Sequence, residues 1–358
     1  MRRLVHRLAV ALVWLPALLY GGTALFATGA AGAAAREPHI ALLLPLASPS
    51  FGRHAEAVRQ GFVAASKGAD KTIPPIRVYP INEDALNVLT LYEQAVEAGA
   101  QLVVGPLTRN GVAALAASSL IQVPTIALNT LEERAAAPGR LYLFGLALEE
   151  EARQVAELAH NDGRRNAFVL GDASPLSRRM RQAFIAEFAR NGGVTVAELN
   201  FGADQSSLAK LRQTVELGVA DMLFITVDAP RARSARPYLG NSLALYATSQ
   251  VNAGGSPLAA NELNGVRFVD MPWLLQPDHP AVMIYPRAPI GDSIDFERLY
   301  ALGIDAYRLG LELLSGNRDP TLDGVTGQIR LLRDQQFVRE LTAAQFVNGK
   351  PVVQEIRR

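Results

Sequence analysis

The sequence contains no cysteine. That excludes disulfides, a thiol nucleophile, iron–sulfur ligation, cysteine-held zinc and the cysteine-linked lipid anchor of a bacterial lipoprotein. An excess of one charge is also missing. The 35 basic and 34 acidic residues leave a formal net charge of +1, so there is no electrostatic footprint for nucleic acid. Histidine is sparse. His6, His39, His54, His160 and His279 include no pair at metal-ligand spacing, and H-E-x-x-H is absent. They read as surface or core residues, and no metal or cofactor is expected. Neither G-x-G-x-x-G after a strand nor G-x-x-x-x-G-K-[ST] occurs, and no G-x-S-x-G nucleophile elbow exists. Ser207-Leu-Ala-Lys210 fits the S-x-x-K pattern, but its partner motifs S-D-N and K-T-G are missing. Ser207 reads as a helix start and Lys210 as a solvent-facing side chain. Glu149-Glu150-Glu151 opens a helix, where negative charge complements the positive end of the dipole. Glu132-Glu133 falls in a loop. Neither group supplies a positioned acid–base pair, and the chain reads as a non-enzyme.

What is present is ample apolar material, 49% of the 358 residues, which suits about two domains. Arg2, Arg3 and Arg7 precede an apolar run from Leu8 to Tyr20 and a Gly/Ala-rich stretch. A-x-A-like sites stand at Ala31-Gly32-Ala33 and Ala33-Ala34-Ala35. Residues 1–35 therefore read as a secretory signal peptide, with an uncleaved membrane anchor as the alternative. Either way the remainder is exported to the periplasm. Membrane contact is expected only through this segment. Residues 36–358 hold 32 basic and 34 acidic residues and no further long apolar run, which reads as a soluble body.

The body alternates strands and helices. Short apolar runs at 39–44, 76–81, 101–104 and 125–127 read as buried parallel strands. Between them lie helices at Ala55–Ala65, at Leu86, Leu89, Tyr92 and Val96, and after Pro106. The pattern restarts with a helix at Ala152, Val155, Ala156 and Ala159 and a strand at 167–170. A helix follows at Met180, Ala183, Phe184 and Phe188, stopped by Asn191-Gly192-Gly193. Strands at 194–199, 221–227, 243–247 and 266–269 follow, with a helix at Leu208, Leu211 and Val215. A long apolar stripe runs from Phe296 through Tyr300, Gly303, Tyr307 and Gly310 to Leu314. Residues 322–327 read as a turn, and 328–332, 344–347 and 352–355 as strands. The fold class is α/β: two doubly wound parallel-sheet lobes joined by a multi-strand hinge. The expected division gives 36–144 plus about 272–325 to lobe 1, and 145–271 plus about 326–358 to lobe 2 and the hinge strands.

In open α/β sheets, ligands sit beyond the carboxyl ends of the strands. Those positions hold Ser48, Ser50, Gly105, Thr108, Asn129 and Thr130 in the first lobe. In the second they hold Asp172, Ser174, Asp228, Ser249 and Gln250. Each alone fits ordinary turn and N-cap chemistry; together they mark the rim of a ligand cleft. Arg178 and Arg179, and Arg231, Arg233 and Arg236, form two basic clusters on helices. They read as solvated faces or as a surface for a carboxylate- or phosphate-bearing partner.

Several segments then resemble a known family. They are 39–47 (HIALLLPLA), 57–63 (AVRQGFV), 99–107 (GAQLVVGPL), 123–129 (VPTIALN) and 174–185 (SPLSRRMRQAFI) with Glu187-Phe188 and Gly192-Gly193. The tail 323–332 (DGVTGQIRLL), with Arg339, Ala344, Phe346 and Gly349, also fits. In that order, the stretch from 38 to 356 resembles the type 1 periplasmic-binding-protein fold. More closely, it is similar to the C-terminal domain of the penicillin-binding protein activator (LpoA/LppC) family. The resemblance implies an exported regulator that contacts a peptidoglycan synthase or a cell-wall fragment and stimulates peptidoglycan synthesis. The alternative is a receptor for a small polar ligand (an amino acid, a peptide or a muropeptide) between the lobes. Two features depart from the family patterns. The lipidation cysteine and helical-repeat N-terminal domain of better-known activators are not in these 358 residues. The acid that pairs a ligand's amino group in amino-acid receptors is replaced by Thr248-Ser249-Gln250.

Overall fold

The computed structural model describes residues 36–354, other than 69, 71, 132–136, 203, 288–290 and 292. The export segment expected at 1–35, the Glu132-Glu133 loop and the last strand's end at Glu355 lie outside the described residues.

Strand β1 (His39–Leu44) is buried along its whole length because alternate side chains enter two cores. Ile40, Leu42 and Leu44 pack with Val58 and Phe62 of α1 (Gly52–Ser66). Ala41 and Leu43 pack with Val88, Tyr92 and Ala95 of α2 (Ala85–Glu97). A strand covered on both faces has no polar side, which is why it reads as an unbroken apolar run. The lobe is completed by β2 (Ile76–Pro80), β3 (Ala100–Val104), α3 (Arg109–Ala116), β4 (Thr125–Ala127) and β5 (Leu141–Leu143). Its sheet order is β2-β1-β3-β4-β5, and every pair is parallel. The face of α2 differs from the expected one. Leu86 is 69% exposed, while Val88, Tyr92 and Ala95 are buried, because the helix turns its Val88 side to the sheet.

The second lobe repeats the scheme. Its elements are α4 (Leu148–Asn161), β6 (Asn166–Gly171), α5 (Pro175–Arg190), β7 (Val194–Asn200), α6 (Gln205–Glu216), β8 (Met222–Ile225), α7 (Ala229–Ala235), β9 (Ala244–Ala247) and β10 (Arg267–Asp270). Val169, Phe224, Tyr246 and Val269 share a core with α4 and α5, in which Phe184 stacks between Phe188 and Phe224 at 5.2 and 4.3 Å. Leu170, Leu223, Leu245 and Phe268 face the opposite core.

The chain then returns through α8 (Pro272–Leu275) and α9 (Pro280–Met283) to the long α10 (Ile294–Leu314). Helix α10 lies against α1 in the first lobe at very close range. A Cβ on Gly61 would stand 1.9 Å from the Tyr300 carbonyl oxygen, and one on Gly303 would stand 2.1 Å from that of Val58. The glycines in its stripe are therefore contact points between two backbones. The stretch expected as a bare turn is a hairpin: β11 (Thr321–Gly324) pairs with β12 (Gly327–Leu331) around Val325-Thr326. With β13 (Phe337–Glu340) they make a small antiparallel sheet. The reason lies in Asp305 of α10, fully buried, whose carboxylate accepts from the Val325 and Thr326 N–H groups and the Thr326 hydroxyl at 3.1, 2.7 and 2.7 Å. Finally β14 (Thr342–Val347) and β15 (Lys350–Val353) join the second sheet, whose order is β15-β14-β10-β9-β8-β6-β7. These two strands are antiparallel to their neighbours; the other five are parallel. Among the described residues, no helix is long and apolar enough to cross a membrane.

Candidate functional site

The carboxyl ends of both sheets and the first turns of α4 and α10 meet at a cleft that holds two cavities. The first-lobe cavity, about 470 Å³, is lined by Phe51, His54, Leu107, Thr108, Leu128 and Asn129 among others. The second-lobe cavity, about 390 Å³, is lined by Glu151, Asp228, Ser249, Gln250, Asp295 and Arg298 among others. Leu146 and Leu299 line both.

Five of the eleven predicted rim residues line these cavities: Thr108, Asn129, Asp228, Ser249 and Gln250. Thr108 caps α3 by accepting from the Gly111 N–H at 3.3 Å. Asn129 ties two loops together, donating to the Leu107 carbonyl at 2.8 Å and accepting from the Thr130 N–H at 2.9 Å. Asp228 caps α7 through the Arg231 N–H at 3.1 Å. The Ser249 N–H donates to Glu151 at 3.0 Å. The side-chain oxygen of Gln250 is buried and has no hydrogen-bond partner.

The other six serve elsewhere. Thr130 lines a side hollow with Arg109, Glu149 and Arg179. Ser48 is buried; its hydroxyl donates to Glu83 and accepts from the Phe51 N–H, closing the turn after β1. Ser50 is exposed before α1. Gly105, at φ 114°, would place a Cβ 1.9 Å from the Leu43 carbonyl oxygen, so its smallness serves the backbone. Asp172 accepts from the Ser174 N–H and from Arg231, each at 2.9 Å. Ser174 caps α5 through the Ser177 N–H at 3.1 Å.

The two arginine clusters are bonded within the molecule. Arg178 donates to the Ala173 carbonyl, and Arg179 to Glu149 at 2.6 Å. Arg231 donates to Asp172, Arg233 to the Ala259 carbonyl at 3.1 Å, and Arg236 to the Gly240 carbonyl at 2.7 Å. Arg178 and Arg231 remain exposed, while the other three are half-buried. The S-x-x-K serine donates to Asp204 at 2.6 Å, a helix-cap arrangement, and Lys210 is exposed.

Sequence reasoning missed the ionic core beneath the cleft. Arg298, the fifth residue of α10, reaches across to the second lobe. It donates to Asp270 at 2.8 and 3.3 Å, to the Ser249 and Asn252 carbonyls at 3.0 and 2.9 Å, and back to Asp295 at 2.8 Å. Asp270 also accepts from the Asn252 side chain and the Met271 N–H, each at 2.9 Å. Burial pushes the Glu151 carboxyl up, against the pull of Arg339. Burial lowers the Arg339 guanidinium, although Glu151 and Asp270 oppose this. A second link between the lobes runs from Arg109 through Glu149 to Arg179, at 3.1 and 2.6 Å. Burial would raise the Glu149 carboxyl, but the two arginines hold it below its usual range. The available signal was a charged residue inside an apolar helix: Arg298 stands between Phe296 and Leu299. The run 149–151 hides the same point. Successive helical residues lie about 100° apart, so Glu151 turns inward where its neighbours do not.

Comparisons with known proteins follow the same lines. Residues 33–349 match the family described as "LppC putative lipoprotein". The chain is 27% identical to the "Penicillin-binding protein activator LpoA" of Yersinia pestis bv. Antiqua (strain Angola), over 87% of this chain and 60% of that one. It is 29% identical to the protein of the same name from Edwardsiella piscicida, over 77% of this chain and 46% of that one. The chain thus spans about half the length of the curated relatives it matches. Among solved structures, the LpoA C-domain of Haemophilus influenzae, described as "a regulator of PBP1A", superposes with a TM-score of 0.76 at 27% identity. It covers 88% of this chain and all of that one. A "putative branched-chain amino acid ABC transporter" of Chromobacterium violaceum ATCC 12472 gives 0.73 at 38% identity, over 87% of this chain and all of that one.

Proposed function

The chain belongs to the LppC family, and from that premise we propose that it is an exported, periplasmic regulator that binds a peptidoglycan synthase of the penicillin-binding type and stimulates it without catalysing a reaction itself. The observation that carries this reading is the match over 87% of the chain to proteins named penicillin-binding protein activators. The neighbour described as a regulator of PBP1A supports it. The contact surface we assign is the face of α5 and α7 where Arg178 and Arg231 are exposed. Arginine there pairs carboxylates of a partner in a bidentate manner, while the internal bonds of Arg179, Arg233 and Arg236 hold that face in shape. The test is to titrate the purified chain into its cognate bifunctional synthase and follow glycan polymerisation and crosslinking. The rate is expected to rise and saturate; an unchanged rate at saturating protein overturns the reading.

A second reading is favoured by the paired cavities and by the 38%-identical neighbour named as an amino-acid transporter. In it the lobes also hold a small molecule between them, which stabilises the fold by mass action. A thermal-shift screen of amino acids, peptides and muropeptides without a hit would remove it.

A further inference from the structure

The two halves of the cleft differ in chemistry. The first-lobe cavity sets buried Leu107, Leu128 and Leu302, with Phe51, 39% exposed, at its rim, beside one acid and one base, Glu83 and Arg109, whose formal charges balance. The second-lobe cavity is lined by three carboxyl groups, Glu151, Asp228 and Asp295, against one guanidinium, Arg298, and burial favours the neutral form of Glu151. That guanidinium is already spent on Asp270, Asp295 and two carbonyls, so the cavity offers an anion little; Asp295 and Asp228 each pair an arginine too, but their side chains stay 74% and 47% exposed and can still face a cation. Two buried polar atoms of lining residues lack partners, His54 Nδ1 on the apolar side and the Gln250 side-chain oxygen on the acidic side. Leu146 and Leu299 line both cavities, so the two adjoin across these side chains.

Resting on the second reading above, we propose that the cleft takes a short peptide with a free amino end and an apolar side chain. The ammonium sits among Asp228, Asp295 and the Gln250 oxygen. The side chain lies on Phe51 and the leucines, and a peptide group meets His54. Charge complementarity selects the amine, because an unpaired carboxylate in this half would meet like charge. Size selects a peptide over a single amino acid. Each cavity alone, about 390 and 470 Å³, is in the range of a small-molecule site, and a free amino acid carries its amine and side chain on one carbon. An extended chain advances roughly 3.3–3.6 Å per residue, so two or three residues place the amine and the apolar group in separate cavities.

The test is calorimetric titration of the purified chain with alanyl-alanyl-leucinamide, its N-acetyl form and free leucine. The free-amine peptide is expected to bind, N-acetylation to weaken it at least tenfold, and leucine to bind at least tenfold more weakly. Asp228→Asn, which keeps an N-cap side chain, and Phe51→Ala, at a partly exposed rim, are each expected to weaken the peptide at least fivefold with the melting temperature held. Equal binding of the acetylated peptide overturns the proposal. So does leucine binding as tightly as the peptide, which would leave a small-molecule site standing. Absence of binding by all three compounds overturns the proposal; the second reading is decided separately by the wider thermal-shift screen, and synthase stimulation, measured in parallel, is a further separate result.

Discussion

Replacing Arg298 by alanine tests whether the ionic core beneath the cleft holds the lobes together. Asp270 is 1% exposed and would keep only the Asn252 side chain and the Met271 N–H as donors. The Ser249 and Asn252 carbonyls would each lose a donor from the same guanidinium. Breaking a buried ion pair from one side strands the other charge and costs about 3–5 kcal/mol. For a chain of this length, about 2 °C per kcal/mol converts that to a fall in Tm of roughly 6–10 °C. Chemical denaturation should show the same loss as a lower midpoint with an unchanged slope. The double variant Arg298→Met with Asp270→Asn removes the charge from both sides and is expected to recover most of the loss, since a buried pair replaced as a pair is often neutral. A single variant that loses less than ~1 kcal/mol, or a double variant no better than the single, would refute the assignment of Arg298 as the strut between α10 and the second sheet.

Two further outcomes follow from the same structure. The folded state holds the proton of buried Glu151 more tightly than the unfolded chain does, whose value is about 4.3. The stability this confers is complete below about pH 4 and is lost as the pH rises through the folded value. Glu151→Gln should therefore lose less stability between pH 5 and pH 7 than the parent, compared by urea unfolding at both; equal losses contradict the buried-acid assignment. Gly303→Ala places a methyl 2.1 Å from the Val58 carbonyl oxygen. The obstacle is backbone, so overpacking costs about 3 kcal/mol. Better helix propensity returns only about 1, and a variant as stable as the parent would rule out the close α1–α10 contact.

Much of the fold was legible because both sheets are covered on both faces. Strands β1, β6 and β8 read as apolar runs for the same reason that they are buried. Helix α5 announced itself by Met180, Ala183, Phe184 and Phe188, all of which are buried. Of the small sheet only β12 was legible, as the run 328–332; β11 and β13 were not. Residues 322–327 look like turn chemistry throughout, and only the distant Asp305 narrows the turn to Val325-Thr326, with 321–324 in strand. Strand β5 is three residues long, too short to show a period. Where N-cap residues stand at strand ends, as at Thr108 and Asp228, the expected rim positions coincide with cavity walls. Gly105 and Ser48 line neither cavity, and a glycine serving backbone approach or a serine closing a turn looks the same in sequence as a ligand group. The ionic core joins residues 151, 249, 252, 270, 298 and 339, whose separations carry no periodic signal. No pattern along one chain reveals that they meet.

The proposed action of this two-lobed body is the binding of a synthase. It is tested most directly by measuring affinity and stimulation on the same pair. The purified chain is titrated into the cognate penicillin-binding protein, with complex formation followed by sedimentation and glycan polymerisation followed in the same buffer. Half-saturation of binding and half-maximal stimulation are expected to fall at the same concentration. Binding without any rise in rate, or no binding by a chain shown to be folded, would contradict it.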